Sequence, residues 1–130
     1  MAVTTYDAKL TTIIVDGVYI TGMGEDMVTG EKEEDLSTPS VGAQGDVVKS
    51  VNNNPLGKIT LHVQRTSPQK KFLMGLAKRT DEFPIWCINK QLGERMGGTK
   101  ASLLTFPQVG YGSEHEDMEF VFQVYDYVVE

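Results

Sequence analysis

Few residues in this chain have the type and spacing for chemistry. The histidines are His62 and His115. His62 falls in an alternating segment, 58–65, with no acidic residue or cysteine at a metal-ligand spacing. His115 stands in the run Glu114-His115-Glu116-Asp117. That run could hold a cation only weakly, because a metal centre draws ligands from more than one segment and backs them with further partners. A solvated acidic loop is the better reading. Cys87 is the single cysteine, so no disulfide can form within the chain. It lies in the apolar run Phe83-Pro84-Ile85-Trp86-Cys87-Ile88, where a free cysteine behaves as a small buried hydrophobe. Gly97-Gly98-Thr99-Lys100 has phosphate-loop residues in the wrong order, with a strand rather than a helix after it. Gly22-Met23-Gly24 lacks the third glycine of a dinucleotide fingerprint, and no G-x-S-x-G elbow occurs. These features point away from an enzyme and away from any metal or cofactor.

The totals narrow the class further. A chain of 130 residues, 40% hydrophobic, is long enough for one domain around a single core. The formal net charge of −6 argues against tight binding to nucleic acid, which needs clustered Lys and Arg. It is compatible with a surface past which nucleic acid slides. The N-terminal stretch MAVTTYDAKL has no apolar signal core, and no run approaches the ~20 apolar residues of a membrane span. A soluble protein made in the cytoplasm, without a membrane anchor, is expected.

The elements that would position these residues follow from alternation and turn signals. Segments 10–15 and 18–21 read as strands joined by Asp16-Gly17, a two-residue hairpin turn. Residues 22–43 show no clear period and hold six acidic residues (Glu25, Asp26, Glu31, Glu33, Glu34, Asp35) against Lys32. They are expected to form a long acidic loop, either solvated or ordered only against a partner. Strands over 47–51 and 58–65 flank the turn Asn52-Asn53-Asn54-Pro55-Leu56-Gly57. In the second of these, Ile59, Leu61 and Val63 alternate with Thr60, His62 and Gln64, which predicts one buried face and one wet face.

Ser67 as cap and Pro68 in the first turn open a helix predicted over 68–79. Its apolar stripe is Phe72, Leu73, Leu76 and Ala77, and its cations are Lys70, Lys71, Lys78 and Arg79. A buried strand over 83–89, a Gly-rich turn over 91–98, a shorter strand over 100–105, a loop over 106–117 and a longest strand over 118–129 complete the chain. The sum is a mainly β fold of about seven strands, a β-sandwich or small barrel with one α-helix laid on it. OB-type nucleic-acid binders share that outline but work through aromatic stacking platforms on a basic groove. Here the aromatics fall in expected core strands and the cations on a helix.

The segment 41–68 carries a more specific signal. It reads Val-Gly-Ala-Gln-Gly-Asp-Val, then a strand, then Asn-Asn-Asn-Pro-Leu-Gly, then Gly-Lys-Ile-Thr-Leu-His-Val-Gln-Arg-Thr-Ser-Pro at the helix start. Preceded by the Asp-Gly hairpin and the acidic loop, this order resembles the tail tube proteins of contractile-tailed bacteriophages. The likeness is most specific over 41–80 and extends in outline over 1–130 as one tail-tube-like domain. It implies a structural subunit of the virion tail whose strands join its neighbours' strands into one continuous barrel. Rings of such subunits, expected to be hexameric, stack into a tube through which DNA is ejected. The implied partners are the chain itself, sheath, baseplate and tape-measure proteins, and passing DNA that is not specifically bound.

On that frame Thr60, His62 and Gln64 are expected to face the lumen. The six acidic residues of 22–43 are expected between rings, and Lys70, Lys71, Lys78 and Arg79 toward the sheath or a neighbour. Lys58 and Arg65 flank the alternating strand, and because a channel for DNA would avoid exposed cations they are expected near strand ends. A related tail connector or hub component on the same fold is the alternative.

Overall fold

The computed structural model describes residues 2–130. β1 (Thr11–Val15) and β2 (Val18–Tyr19) form the first hairpin. Its turn has φ of 51° at Asp16 and 79° at Gly17, the pair of left-handed residues that a two-residue turn needs. There follow β3 (Met23–Lys32), β4 (Ser37–Val41), β5 (Val47–Val51), β6 (Gly57–Val63), α1 (Lys70–Gly75), β7 (Phe83–Asn89), β8 (Glu94–Thr105), β9 (Met118–Val124) and β10 (Val128–Val129). All pairings are antiparallel. The main sheet runs in the order β2-β1-β7-β8-β9-β6-β3 with β10 beside β8, while β4 and β5 pair only with each other. The fold is mainly β with one α-helix, as the alternation predicts.

Side chains explain why this sheet curls around one core. Ile59, Leu61 and Val63 of β6 are fully buried, as are Phe120, Phe122 and Val124 of β9. They meet Phe83 and Ile85 of β7 and Leu73 and Leu76 from the helical segment. Phe83 and Phe122 pack edge to face with ring centroids 6.0 Å apart, the arrangement that aromatic quadrupoles prefer. The curl brings the two edges of the sheet toward each other. Thr11 of β1 and Met27 and Val28 of β3 line one cavity.

β8 is the spine of this arrangement. One edge pairs with β7 from Glu94 to Ala101, and the other pairs first with β10 and then with β9. The pairs Val124↔Ala101 and Val128↔Gly97 keep one register, so β9 and β10 are a single ladder broken at residues 125–127. Asp126 fills the break. Its carboxylate accepts from the Thr99 hydroxyl (2.5 Å) and from the backbone N–H groups of Thr99 (3.1 Å) and Lys100 (3.1 Å). Partial burial pushes its pKa up, but these bonds outweigh burial and hold it below the ordinary carboxylate value. Gly97 sits at φ 144°, and a Cβ there would run into the Ile85 carbonyl oxygen.

Several expectations are corrected. Residues 22–43 are not a loop. They contain β3 and β4, and β3 was hidden because its register slips between Met23 and Val28, which breaks the alternation. The strand expected over 100–105 starts six residues earlier at Glu94, and the strand expected over 118–129 is divided into β9 and β10. Ten strands form in all among the described residues.

The helix begins at Lys70, two residues later than predicted, and ends in a 3₁₀ turn over Leu76–Lys78. Ser67 does not cap it directly. Its hydroxyl donates to the Thr21 carbonyl (2.6 Å) and accepts from the Gln69 N–H (3.3 Å). The Gln69 amide oxygen in turn accepts from the Thr21 N–H (2.9 Å) and hydroxyl (2.8 Å), which ties the helix start to the β2–β3 connection. β7 is buried on one face only, since Pro84, Trp86 and Ile88 are half-exposed.

Candidate assembly surfaces

Among the described residues no cluster gathers around the histidines or the cysteine. Among the described residues no three His, Cys, Asp or Glu side chains are placed to hold a metal. His115 Nδ1 lies 4.0 Å from an Asp117 carboxylate oxygen on an exposed segment. Burial pushes the Cys87 thiol up to about 11, so it stays protonated and inert at neutral pH. Among the described residues no helix is long and apolar enough to cross a membrane.

The outer face of β6 is half-buried and polar. Thr60 lies across from Thr29 on β3 and Val121 on β9, and His62 lies across from Glu119. Lys58, the second residue of β6, is opposite Glu31 on one side and Gln123 on the other. Gln64 falls just past the strand end, where its N–H donates to the Gly22 carbonyl (2.7 Å). Arg65 lies two residues beyond β6, donates to the Gly110 carbonyl and covers the Tyr111 ring at 4.5 Å. Both cations flanking the strand thus face groups of their own chain.

The six acidic residues of 22–43 separate into three places. Glu25 and Asp26 sit at the irregularity of β3 and line a cavity of about 400 Å³ with Tyr6 and His62. Glu31 faces Lys58. Glu33, Glu34 and Asp35 form the turn from β3 into β4. There Glu34 accepts from the Asn52 side chain (2.6 Å), and bonds from Asn52 and Asn54 hold its carboxyl below the usual value.

The helix cations divide in the same way. Arg79 bonds Asp81 (2.7 Å) and Asp16 and lies 5.4 Å from the Phe83 ring, so it braces the fold. The hydrogen bonds that Arg79 donates to those two carboxylates, Asp81 first, raise its pKa, while Arg79 lowers that of Asp81. Lys71 and Lys78 are exposed and Lys70 is half-exposed. The nearby Asp81 and Phe83 were the sequence signal that Arg79 differs from the lysines.

The surface that sequence reading missed is the β4–β5 hairpin. Every residue of both strands except Ser37 is exposed, including Val41 (69%), Val47 (65%), Val48 (62%) and Val51 (67%). Opposed residues in an antiparallel pair share a face. The pairs Ser37↔Val51, Pro39↔Lys49 and Val41↔Val47 therefore make one face, and Thr38↔Ser50 and Ser40↔Val48 the other. The first face carries three valines and a proline. The alternation of Val47 to Val51 was the available clue, concealed by the loop assigned to its partner strand.

The described residues thus make a curled antiparallel sheet with one α-helix and an exposed two-stranded hairpin. Residues 10–128 match the family model described as the bacteriophage PhiTE tail tube protein. The chain belongs to this family: it is a structural component of a phage tail tube, part of the virion and not an enzyme. No curated protein matches it in sequence.

Solved structures share the fold at low identity. A chain from the sheath/tube terminator of PVC, an extracellular contractile injection system, in the extended state, aligns with a TM-score of 0.72 at 11% identity, covering 100% of this chain and 99% of that one. A chain from the tube-terminating cap of the anti-feeding prophage gives 0.71 at 10% identity, covering 100% and 94%. A chain from the PVC sheath-tube complex, also extended, gives 0.69 at 13% identity, covering 97% and 91%.

Proposed function

We propose that copies of this chain close into rings, expected to be hexameric, that stack into the tube of a contractile tail, and that the genome leaves through the lumen. The outer face of β3, β6 and β9, with Thr60, His62 and Gln64, lines that lumen, and strands of adjacent copies continue the sheet around it. The observation that carries this reading is the chemistry of that face. Thr29, Thr60 and His62 are polar without being cationic, Lys58 is set opposite Glu31, and Arg65 is turned onto Gly110 and Tyr111. A chain of net charge −6 repels phosphates, so DNA slides instead of sticking. Closing the sheet into a barrel also removes its unpaired edges.

Sheath, baseplate and tape-measure proteins are the remaining partners, and the host bacterial cytoplasm is the place of synthesis. Purified protein at high concentration should show rings and tubes by negative-stain microscopy. Sedimentation as a monomer at every concentration would sink the reading. Duplex and single-stranded DNA should bind negligibly at physiological salt, and micromolar affinity with a steep salt slope would favour an OB-type binder instead.

A second reading rests on a specific likeness. Two of the similar structures are tube terminators or caps. A connector or terminator on the same fold would form single rings that never stack, and the same micrographs distinguish it.

A further inference from the structure

Where the sheet curls shut, its edges leave a seam, and the chain's first segment lies in it. β3 is the end strand of the main sheet, and its register on β6 shows which backbone groups stay open. The Glu33 N–H bonds the Leu56 carbonyl (3.1 Å), and bonded pairs alternate along an antiparallel ladder, so Thr29 and Glu31 bond to β6 as well. Val28, Gly30 and Lys32 therefore turn their N–H and C=O groups to the free edge. Tyr6, Ala8 and Thr11 line the 400 Å³ cavity together with Val28 and Thr29 of that strand. Ala8 and Lys9 line a second cavity of about 380 Å³ with Met23 and Met27.

The hold on this segment is slight. No residue from Ala2 to Leu10 is buried. Among the described residues its side-chain tether to the rest of the fold is Gln91, whose Oε1 accepts from the Asp7 N–H (3.0 Å) and whose Nε2 donates to the Thr5 carbonyl. Asp7 spends its own acceptors locally, on the N–H groups of Lys9 (2.9 Å) and Leu10 (3.1 Å). Val3 (84%), Tyr6 (63%) and Leu10 (48%) distinguish the segment from a solvated polar tail. Thr11 is the fixed point behind it, paired with Asn89 and accepting from the Asn89 side chain (2.9 Å). Breaking the Gln91 bonds would free the segment and leave the β1–β7 ladder whole.

We propose that residues 2–10 are a strap that guards the free edge of β3 in the single subunit and leaves the seam before a neighbouring copy's strand pairs there. A ten-residue edge without a guard is a template for any passing strand. A segment held at one exposed point belongs to the least stable part of a fold, from which moving elements are drawn. Only the fraction of subunits with the strap displaced accepts a neighbour, so the strap raises the concentration needed for assembly.

The inference rests on the tube reading, and loosening or locking the strap separates the two. Gln91→Ala removes both tether bonds from an exposed turn and leaves the core untouched. It should lower the concentration at which tubes appear by about threefold or more, with subunit melting little changed. Deleting residues 2–9 should lower it at least as far. Ala8 and Thr29 are exposed on the same cavity, and Cys87 is buried and protonated, so A8C/T29C can be joined by a short bismaleimide. The joined protein should stay folded and form no tubes.

A parent chain that never leaves the monomer removes the tube reading and the strap with it. Parent tubes whose threshold ignores both Gln91→Ala and the deletion overturn the strap and leave the tube standing. Joined protein that polymerises as readily as the parent does the same, and so do cysteines that the reagent never joins. A threshold raised by the deletion would make residues 2–10 part of the contact itself, which also overturns the strap.

Discussion

β5 and β6 are neighbours in sequence, separated only by residues Asn52–Leu56, and both read as strands. In β6 the residues Ile59, Leu61 and Val63 have no exposure at all, while in β5 Val47, Val48 and Val51 are 62–67% exposed. The types are the same and the fates opposite. β6 is flanked on both sides, by β9 and β3, and covered by Leu73 and Leu76, so its apolar face is satisfied within the chain. β5 has one partner, β4, and nothing above its valines. Burial stabilises at roughly 25 cal/mol per Å² of apolar surface, so the valine and leucine face of β6 contributes to folding of the subunit, while the exposed valines of β5 contribute little to it. A strand's residue types thus predict that it will be covered, but not by whose atoms.

The sharpest break of this comparison is one substitution made twice. Leu61→Asp places a charge with no partner in the core and should leave no folded protein. Val47→Asp on the exposed hairpin should shift subunit stability by no more than about 0.5 kcal/mol while weakening assembly. Thermal or urea unfolding of the two variants checks both. A folded Leu61→Asp, or an unfolded Val47→Asp, would erase the distinction.

The next effect in size tests the spine that makes β6 a satisfied strand. Gly97→Ala must accept positive φ and push against the Ile85 carbonyl, and it should cost about 2–4 kcal/mol. The loss should show as lower subunit stability, with tube formation by the remaining folded protein intact. A variant as stable as the parent would mean that β8 does not need this backbone geometry.

A smaller effect is expected at Asp126. Asp126→Asn weakens three bonds at a site partly open to solvent and should cost about 1 kcal/mol. The folded-state pKa is depressed, so this contribution is fully present above the ordinary carboxylate value of about 3.9 and disappears as pH falls through the lower folded value. The difference in stability between parent and variant should be constant at neutral pH and shrink below about pH 4. A gap that is constant down to pH 2 would show that the charge of Asp126 is not what closes the break between β9 and β10.

The same contrast explains what was legible in the sequence. β6 follows from alternation, β5 and β7 from short β-branched or apolar runs bounded by turn residues, and the Asp16-Gly17 turn from glycine chemistry, all of which are local. β3 did not, because the slip between Met23 and Val28 places two of its polar residues out of phase and only pairing with β6 restores the ladder. The start of β8 read as a turn because Gly97 and Gly98 usually mark one. Here the glycines let the strand pass close to β7. The break at Asp126 depends on Thr99 and Lys100, distant in sequence. Of the candidate surfaces, the alternation of Thr60 with Leu61 was readable and Asp81 hinted at a partner for Arg79, but the pairing of Arg79 with Asp16 and the exposure of the hairpin required the fold.

The smallest expected effect on stability is the one with the most specific consequence. Thr60 and His62 are half-exposed on the outer face of β6, and Gln64 lies beyond its end. Changing all three to Arg leaves the buried residues Ile59, Leu61 and Val63 untouched, so melting of the subunit should move by no more than about 0.5 kcal/mol per site. The sites on β5 would be equally tolerant, and stability therefore does not separate the two strands here. Charge does. Every ring would present the added cations to the phosphates passing through it, and each neutralised phosphate strengthens attachment in a salt-dependent way. Particles carrying the variant should assemble tails of normal appearance and release their genome slowly or incompletely, with partial recovery at higher ionic strength. Val47→Arg and Val48→Arg on the hairpin should reduce tube length instead and leave release from completed particles unchanged. Normal release from particles shown to contain the triple Arg chain would remove this face from the channel.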